Sequence, residues 1–438
     1  MSIKEFDRII GYSTIKKELE QIADILKNGE VYAKLGISAP RGLLLHGEPG
    51  VGKTLMACCM IKATERKYFV CRKNKPNGDF VKHIKNTFNK AVENAPSIVF
   101  LDDMDKFANS DENHRNAEEY VTIQSCIDEV KDKNVFVLAT TNNLHNLPDS
   151  LLRAGRFDRI IKVKSPIGED AASIIEHYIK NKPFDADLDA KSIERILSGC
   201  SCAELETVIN EAGLYAGFER SEKITMDHFI EACMRIIFKV PADSFKCDDE
   251  DWFANLNNAD CMTSQIVYHE AGHAVISEVL IPESVTLVSA YNRLGRQGGF
   301  TKYYNDDFGH LQSHRKKYVV AELGGMAAIE QKFGLSDSGN RLDLISAFDM
   351  VRDMVVKECS CGFSLREGEF NDSVELMNRQ EQAVALEIER YYRKAKEIIS
   401  LNWDFFEKLA AELAKKKILN TDDIQKIKAE CKITPVAV

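Results

Sequence analysis

What this chain lacks narrows the field before any motif is read. It has no run of the roughly 18 apolar residues that a membrane helix needs. Its longest apolar pieces, such as Ile98-Val99-Phe100-Leu101, are strand-length. The opening residues Met1 to Arg8 are charged and carry no secretory apolar region. A soluble, cytoplasmic protein is therefore expected. No excess of positive charge is present: 58 Lys and Arg stand against 68 Asp and Glu, a net charge of −10. That balance argues against nucleic acid as the main partner. No Cys-x-x-Cys occurs among the 12 cysteines; the nearest patterns are the Cys-x-Cys pairs Cys200/Cys202 and Cys359/Cys361. Zinc ribbons and dithiol redox motifs are thus not indicated, and free thiols are expected in a reducing compartment. Internal repeats and low-complexity tracts are missing as well.

What is present reads as an ordinary globular chain of 438 residues, 44% hydrophobic and 29% charged, which allows for about three domains. Short apolar strands at 42–46, 68–71, 97–101, 134–139 and 160–163 alternate with amphipathic helices. The first of those helices covers 13–28, with Ser13 as its cap. Alternation of this kind predicts a parallel α/β sheet with ligands at the strands' C-terminal ends. From about 168 to 239 the pattern is helical. Residues 241–260, with Asp248-Asp249-Glu250-Asp251, read as a linker that docks partly through Trp252 and Phe253. Beyond it come two strand-like runs, 284–291 and 299–304, and helices over 308–333, 341–358, 376–400, 403–417 and 420–431. The expected boundaries are an α/β nucleotide-binding part at 1–165, a helical lid at 166–240, the linker at 241–260, and a mostly helical domain at 261–438.

Two stretches carry chemistry. The strand 42–46 runs into Gly47-Glu48-Pro49-Gly50-Val51-Gly52-Lys53-Thr54 and then a helix. This is the strand–loop–helix setting of a phosphate-binding loop: glycines turn backbone N–H groups inward, and the helix presents its positive end. Lys53 would reach the β and γ phosphates of ATP, and Thr54 would ligate Mg²⁺. Strand 98–101 ends in Asp102-Asp103, where Asp102 would hold Mg²⁺ and Asp103 would orient the attacking water. Thr140-Thr141-Asn142-Asn143, at the end of the next strand, can help place the same water. The second stretch is Tyr268-His269-Glu270-Ala271-Gly272-His273-Ala274-Val275. Histidines four apart share one helix face and can bind one Zn²⁺ together, with Glu270 beside them to deprotonate the attacking water. On five letters alone, a solvated helix face would also fit. A third ligand must come from elsewhere, and spacing leaves both Asp337 and Asp343 open.

The order of GEPGVGKT at 47–54, FLDDMD at 100–105, ATTN at 139–142, LLRAGRFDR at 151–159, INEAGLYA at 209–216 and YHEAGHAV at 268–275 resembles the FtsH family of AAA+ zinc proteases. The resemblance covers nearly the whole chain and extends to Gly324-Gly325 in AELGGMAA. It implies an AAA+ α/β module with a helical lid, followed by a zinc metallopeptidase domain. The implied activity is an ATP-dependent zinc endopeptidase that unfolds and degrades cytoplasmic proteins, built as a homo-oligomer, a hexamer. It further implies Asn142 as sensor of the γ-phosphate, Arg156 and Arg159 as arginine fingers acting on a neighbour's ATP, and Asp343 as the third zinc ligand. Three departures stand out. Asp103 replaces the family's glutamate, which predicts slow hydrolysis. The family's aromatic pore loop has no counterpart except Pro76-Asn77-Gly78-Asp79-Phe80, so gripping is weak or falls to Phe80. Transmembrane helices are missing ahead of the ATPase, which reads as a naturally soluble member. Rival readings are a remodelling ATPase with an idle peptidase, and a peptidase for unstructured substrates with weak coupling to ATP.

Overall fold

In the computed structural model of the chain, the described residues are 4–73, 77–108, 117–185, 188–245, 252–294, 298–304, 311–335, 341–362 and 374–438. The chain divides into two compact units, residues 1–229 and 230–438.

The first unit opens with α1 (Ser13–Lys27) and α2 (Gly29–Ala33). Ser13 is the first residue of α1 rather than its cap. That place is taken by Tyr12, in a left-handed conformation and without a side-chain capping bond. Then follow β1 (Gly42–His46), α3 (Lys53–Thr64), β2 (Lys67–Cys71), α4 (Asn77–Glu93), β3 (Ser97–Leu101), α5 (Glu118–Glu129), β4 (Val135–Thr141) and β5 (Arg159–Lys162). The strands form one parallel sheet in the order β2-β3-β4-β1-β5. Leu43, Leu44 and Leu45, and likewise Ile98, Val99 and Leu101, are fully buried. Such strands are covered on both faces, which is why they read as unbroken apolar runs rather than alternating ones. The order places the ends of β1, β3 and β4 side by side.

Phe80 does not serve as a gripping residue. It lies in α4 with no exposed surface, edge-on to Phe107 at 4.9 Å between ring centres. Phe80, Ile84 and Phe88 form one buried stripe at i, i+4, i+8, so the ring is part of the core under the sheet. Asn77, Gly78 and Asp79 are the first residues of α4, and Pro76 lies outside the described residues.

The helices α6 (Gly168–Ile179), α7 (Ala190–Ile196) and α8 (Cys202–Phe218) complete this part, and α9 (Met226–Ile236) runs across the boundary between the units. Asp189 caps α7, and Ser201 with Glu204 forms a capping box on α8, so both starts are written locally.

The second unit is built on α10 (Met262–Leu280), nearly all of which is buried. Around it lie β6 (Val285–Ser289), β7 (Phe300–Tyr303), α11 (Gln312–Glu322), α12 (Gly324–Phe333), α13 (Arg341–Val356), α14 (Val374–Leu401), α15 (Trp403–Lys416), β8 (Ile418–Asn420) and α16 (Thr421–Ala429). The three strands make an antiparallel sheet, β7-β6-β8, with β7 on an edge. The single helix expected at 308–333 is two, broken at Leu323. The strand β8 was not expected at all, being only 3 residues long. Trp252 packs against this unit's core and Lys417 lies over its ring at 5.5 Å; Phe253 is half exposed beneath Lys415. The acidic run 248–251 lies outside the described residues. Among the described residues no helix is long and apolar enough to cross a membrane.

Candidate active site

Each unit holds a cluster of the residues singled out above. In the second, α10 carries His269 and His273 one turn apart, with Glu270 next to His269, and the first turn of α13 brings Asp343 to the histidines. His269 Nε2 lies 3.0 Å from His273 Nε2 and 3.1 Å from Asp343 Oδ2, and His273 Nε2 lies 3.5 Å from that same oxygen. Two ligands about 2.05 Å from a tetrahedral ion stand ~3.3 Å apart, so these separations fit one Zn²⁺. The rival Asp337 lies outside the described residues. His273 Nδ1 is 2.7 Å from the Ala321 carbonyl. Donating there fixes the ring and leaves Nε2 as the ligand atom.

The backbone is shaped around this trio. A Cβ on Gly325 would stand 2.3 Å from His269 Cε1, and one on Gly272 would stand 2.5 Å from both Ala328 Cβ and the Gly324 carbonyl. Glycines at these places let α12 press against α10 and leave room for the His269 ring. Charge is held in a largely dry setting. Burial raises the Glu270 carboxyl above its ordinary range. Burial pulls the His273 imidazole down, but the hydrogen bond and charge of Asp343, with Glu270 and Glu322 behind them, outweigh it and raise it to about 9. Burial likewise opposes ionisation of Asp343, yet hydrogen bonds from His269 and His273 hold its carboxyl well below the usual carboxylate range. Buried imidazoles and a carboxylate sharing one point are the donor set of a divalent metal.

In the first unit, β1 leads into Gly47–Thr54. Gly47 is required by crowding, since a Cβ there would lie 1.9 Å from the Val163 carbonyl. Gly52 turns the chain into α3 in a left-handed conformation. Lys53 Nζ donates to the Gly47 and Glu48 carbonyls at 2.8 and 2.6 Å. Burial lowers the Lys53 ammonium, against the charges of Asp103, Asp105, Asp102 and Glu48. Pro49, Gly50 and Val51 complete the loop; the Gly50 carbonyl accepts from the Ala203 amide at the start of α8.

Asp102, at the end of β3, is buried. Its Oδ1 accepts from Thr140 at 2.7 Å and Thr54 at 3.3 Å, and its Oδ2 accepts from Arg72 Nε at 2.6 Å. Asp103 adopts a left-handed backbone, takes the Thr140 hydroxyl oxygen with its amide at 2.9 Å, and pairs its carboxylate with Lys106 at 2.7 Å. Asn142 is held by Asp105, which accepts from its amide at 2.9 Å and from Thr141 Oγ1 at 3.1 Å. The two arginines differ. Arg156 is tied within the chain to both Asp128 oxygens, at 2.8 and 3.2 Å. Arg159 lies exposed on β5, beside a cavity of about 780 Å³ between α1 and the 37–41 loop.

Sequence reasoning assigned no role to Arg72, Asp105 or Thr301, and marked Thr140 only as one of four polar residues that could help place the water. Asp105 stood in the quoted FLDDMD stretch, and Thr140 in ATTN, so their motifs marked them. Nothing in the sequence marked Arg72 or Thr301.

Residues 43–165 match the family described as "ATPase family associated with various cellular activities (AAA)", and residues 259–427 match "Peptidase family M41". A protein of Caldicellulosiruptor bescii named "ATP-dependent zinc metalloprotease FtsH" is 30% identical over 96% of this chain and 71% of its own length. Proteins of the same name from Mycoplasma genitalium and Syntrophotalea carbinolica are 30% and 32% identical, over 99% and 83% of this chain. The chain spans 64% and 56% of those two relatives' lengths. With both domain families in their expected order and a 30% identical relative matched over 96% of this chain and 71% of its own length, the chain belongs to the FtsH family of AAA ATPase–zinc metalloproteases.

Proposed function

We propose that the chain is an ATP-dependent zinc endopeptidase acting on protein and peptide substrates. The observation that carries this is the meeting of His269, His273 and Asp343 around one point, with buried Glu270 beside them, in a chain that also holds a folded phosphate loop.

His269, His273 and Asp343 would hold Zn²⁺. Zinc, when bound, polarises the scissile carbonyl and acidifies the attacking water. Glu270 takes the water's proton on its carboxylate and passes it to the leaving amine. Burial, which favours the carboxyl's neutral form, suits a base that must also give its proton back. The edge strand β7 offers a backbone with which an extended peptide can pair.

In the other unit, Gly47, Glu48, Pro49, Gly50, Val51 and Gly52 cradle the phosphates of ATP. Lys53 reaches the β and γ phosphates, and Thr54 and Asp102 hold Mg²⁺. Asp103 orients the attacking water and Asn142 senses the γ-phosphate, its position set by Asp105. Arg159, exposed at the sheet's edge strand, is the better placed of the two arginines to reach a neighbour's nucleotide; Arg156 would first have to leave Asp128. That role requires a homo-oligomer, which we take to be a hexameric ring. Residues 166–240 are its helical lid. A cytoplasmic setting is supported by the eleven described cysteines, all free thiols.

The test is degradation of one folded and one unfolded protein by wild type, Glu270→Gln and Lys53→Ala, each with and without chelator. Glu270→Gln and chelation are expected to stop cleavage of both substrates. Lys53→Ala is expected to stop only that of the folded one. Cleavage surviving in Glu270→Gln would sink the reading.

A further inference from the structure

Glu270 is a three-torsion side chain, and a general base of that length works only if something fixes its carboxylate. The neighbours on α10 do not do so. The group that touches it comes from β7, some 30 residues on. Thr301 Oγ1 lies 2.9 Å from Glu270 Oε2 and 3.4 Å from the Glu270 backbone carbonyl. A hydroxyl has one proton to donate, and the carboxylate at the shorter distance is its acceptor. Oε2 is thereby engaged, and Oε1 is the oxygen left to exchange a proton with the reacting water.

The strand is built to aim that hydroxyl. Thr301 pairs with Val288 of the central strand β6, which sets its height along α10. Side chains alternate along a strand, so Phe300 and Lys302 face away from Glu270. Phe300 stacks on Phe238 at 4.4 Å between ring centres, and Lys302 Nζ lies over that same Phe238 ring at 5.6 Å. The Lys239 carbonyl accepts from the Leu294 amide at 3.0 Å, so the segment just after α9 is fastened to the approach to β7 as well. On the inner side, Gly299 leaves no room for a side chain: a Cβ there would lie 2.7 Å from Glu270 Cγ and 2.3 Å from the Ser289 carbonyl. The strand is thus pressed against the stem of Glu270 at Gly299, clamped on its outer face by Phe238, and hydrogen-bonded to the carboxylate at Thr301.

We propose that Thr301 is the positioning residue of the general base, holding Glu270 in the rotamer from which it reaches the attacking water. The proposal rests on the reading of Glu270 as that base. A misplacement of about 1 Å in a reacting group costs on the order of 10²-fold in rate. Loss of a hydrogen-bonding partner behind a metal site costs about 10–100-fold.

The test uses Thr301→Val, which keeps the shape and removes the hydroxyl, and Thr301→Ser, which keeps the hydroxyl, in the full chain with an unstructured peptide. Thr301→Val is expected to lower kcat by about 10–100-fold. Its KM should stay within about twofold, with zinc per chain and thermal midpoint as in wild type. Thr301→Ser is expected to keep kcat within about threefold. Wild-type kcat in Thr301→Val overturns the proposal. So does Thr301→Ser falling as far as Thr301→Val, a loss confined to KM (the mark of a strand that only pairs with substrate), or loss of zinc from Thr301→Val. Glu270→Gln runs alongside. If it stays active, the reading of the base has failed; if it is inactive while Thr301→Val is not, only the role of Thr301 has.

Discussion

The two clusters solve the problem of presenting reactive groups in opposite ways. At the candidate metal centre the ligand atoms of His269, His273 and Asp343 already face one another within 4.8 Å; His273 is held from behind by the Ala321 carbonyl, and the neighbouring Glu270 by Thr301. Little needs to move for an ion to be bound. At the phosphate loop the same kinds of groups are occupied with each other. Lys53 donates to the loop's own carbonyls, Asp102 is engaged by Arg72, and Asp103 by Lys106. Nucleotide and Mg²⁺ must replace these partners. The first site is a rigid receptor set in a helical core; the second is a loop whose internal bonds stand where ligand bonds will form. Chemistry in the first should therefore tolerate change in the second far better than the reverse comparison of folded-substrate turnover would suggest.

The sharpest way to break that contrast is to empty each site separately. His273→Ala removes a ligand and its anchor to Ala321. It should lose zinc and lower cleavage of an unstructured peptide by at least ~10³-fold, an effect on the order of losing a central catalytic group. ATP binding, followed with a fluorescent nucleotide, should stay as in wild type. Lys53→Ala should do the converse, with nucleotide binding lost and zinc per chain unchanged. If Lys53→Ala also lost peptide cleavage in an assembled sample, the metal centre would not be the self-sufficient receptor described here.

The same contrast explains what could be read in advance. The buried strands β1, β3 and β4 were legible because covered parallel strands are continuous apolar runs, as in Leu43–Leu45 and Ile98–Leu101. The phosphate loop and His269/His273 were legible because their chemistry depends on local spacing. Asp343 was not, because it stands 74 positions after the His269 it meets; only the family resemblance picked it from Asp337. Thr301 was invisible for a related reason, since its role exists only where β7 crosses α10. Phe80 was misread although its signal was there: the i, i+4, i+8 stripe with Ile84 and Phe88 is that of a buried helix face. The break at Leu323 escaped because α11 and α12 are both helical, and the 3-residue β8 was too short to carry a period.

Rigidity at the metal centre can be tested without touching a ligand. Gly325 faces the His269 ring so closely that an added methyl must displace the ring or separate α12 from α10. Overfilling a packed core costs about 1–3 kcal/mol. Gly325→Ala is therefore expected to lower the thermal midpoint and weaken zinc by about 10–100-fold, as for other changes just behind a metal ligand. Competition with a fluorescent chelator measures the second effect. Unchanged zinc affinity would mean that His269 has freedom to move aside, and that the centre is softer than its packing indicates.

The smallest effect is expected where the nucleotide site is engaged with itself. Arg72 reaches the same Asp102 oxygen through Nε and Nη2, and its own side chain is 62% exposed. An exposed guanidinium contributes little to stability, so its removal should leave folding nearly unchanged. Its consequence lies in competition, because the carboxylate expected to hold Mg²⁺ is already paired with a fixed positive charge. Taking that charge away should let Mg²⁺ bind more readily to the nucleotide-loaded chain. Arg72→Gln is expected to shift the Mg²⁺ dependence of fluorescent-ATP binding about two- to fivefold toward lower Mg²⁺, with binding in the absence of Mg²⁺ changed less. A shift to higher Mg²⁺ would reverse the assignment. Arg72 would then be a support that orients Asp102, and the nucleotide site would be more preorganised, and closer in kind to the metal centre, than its internal bonds imply.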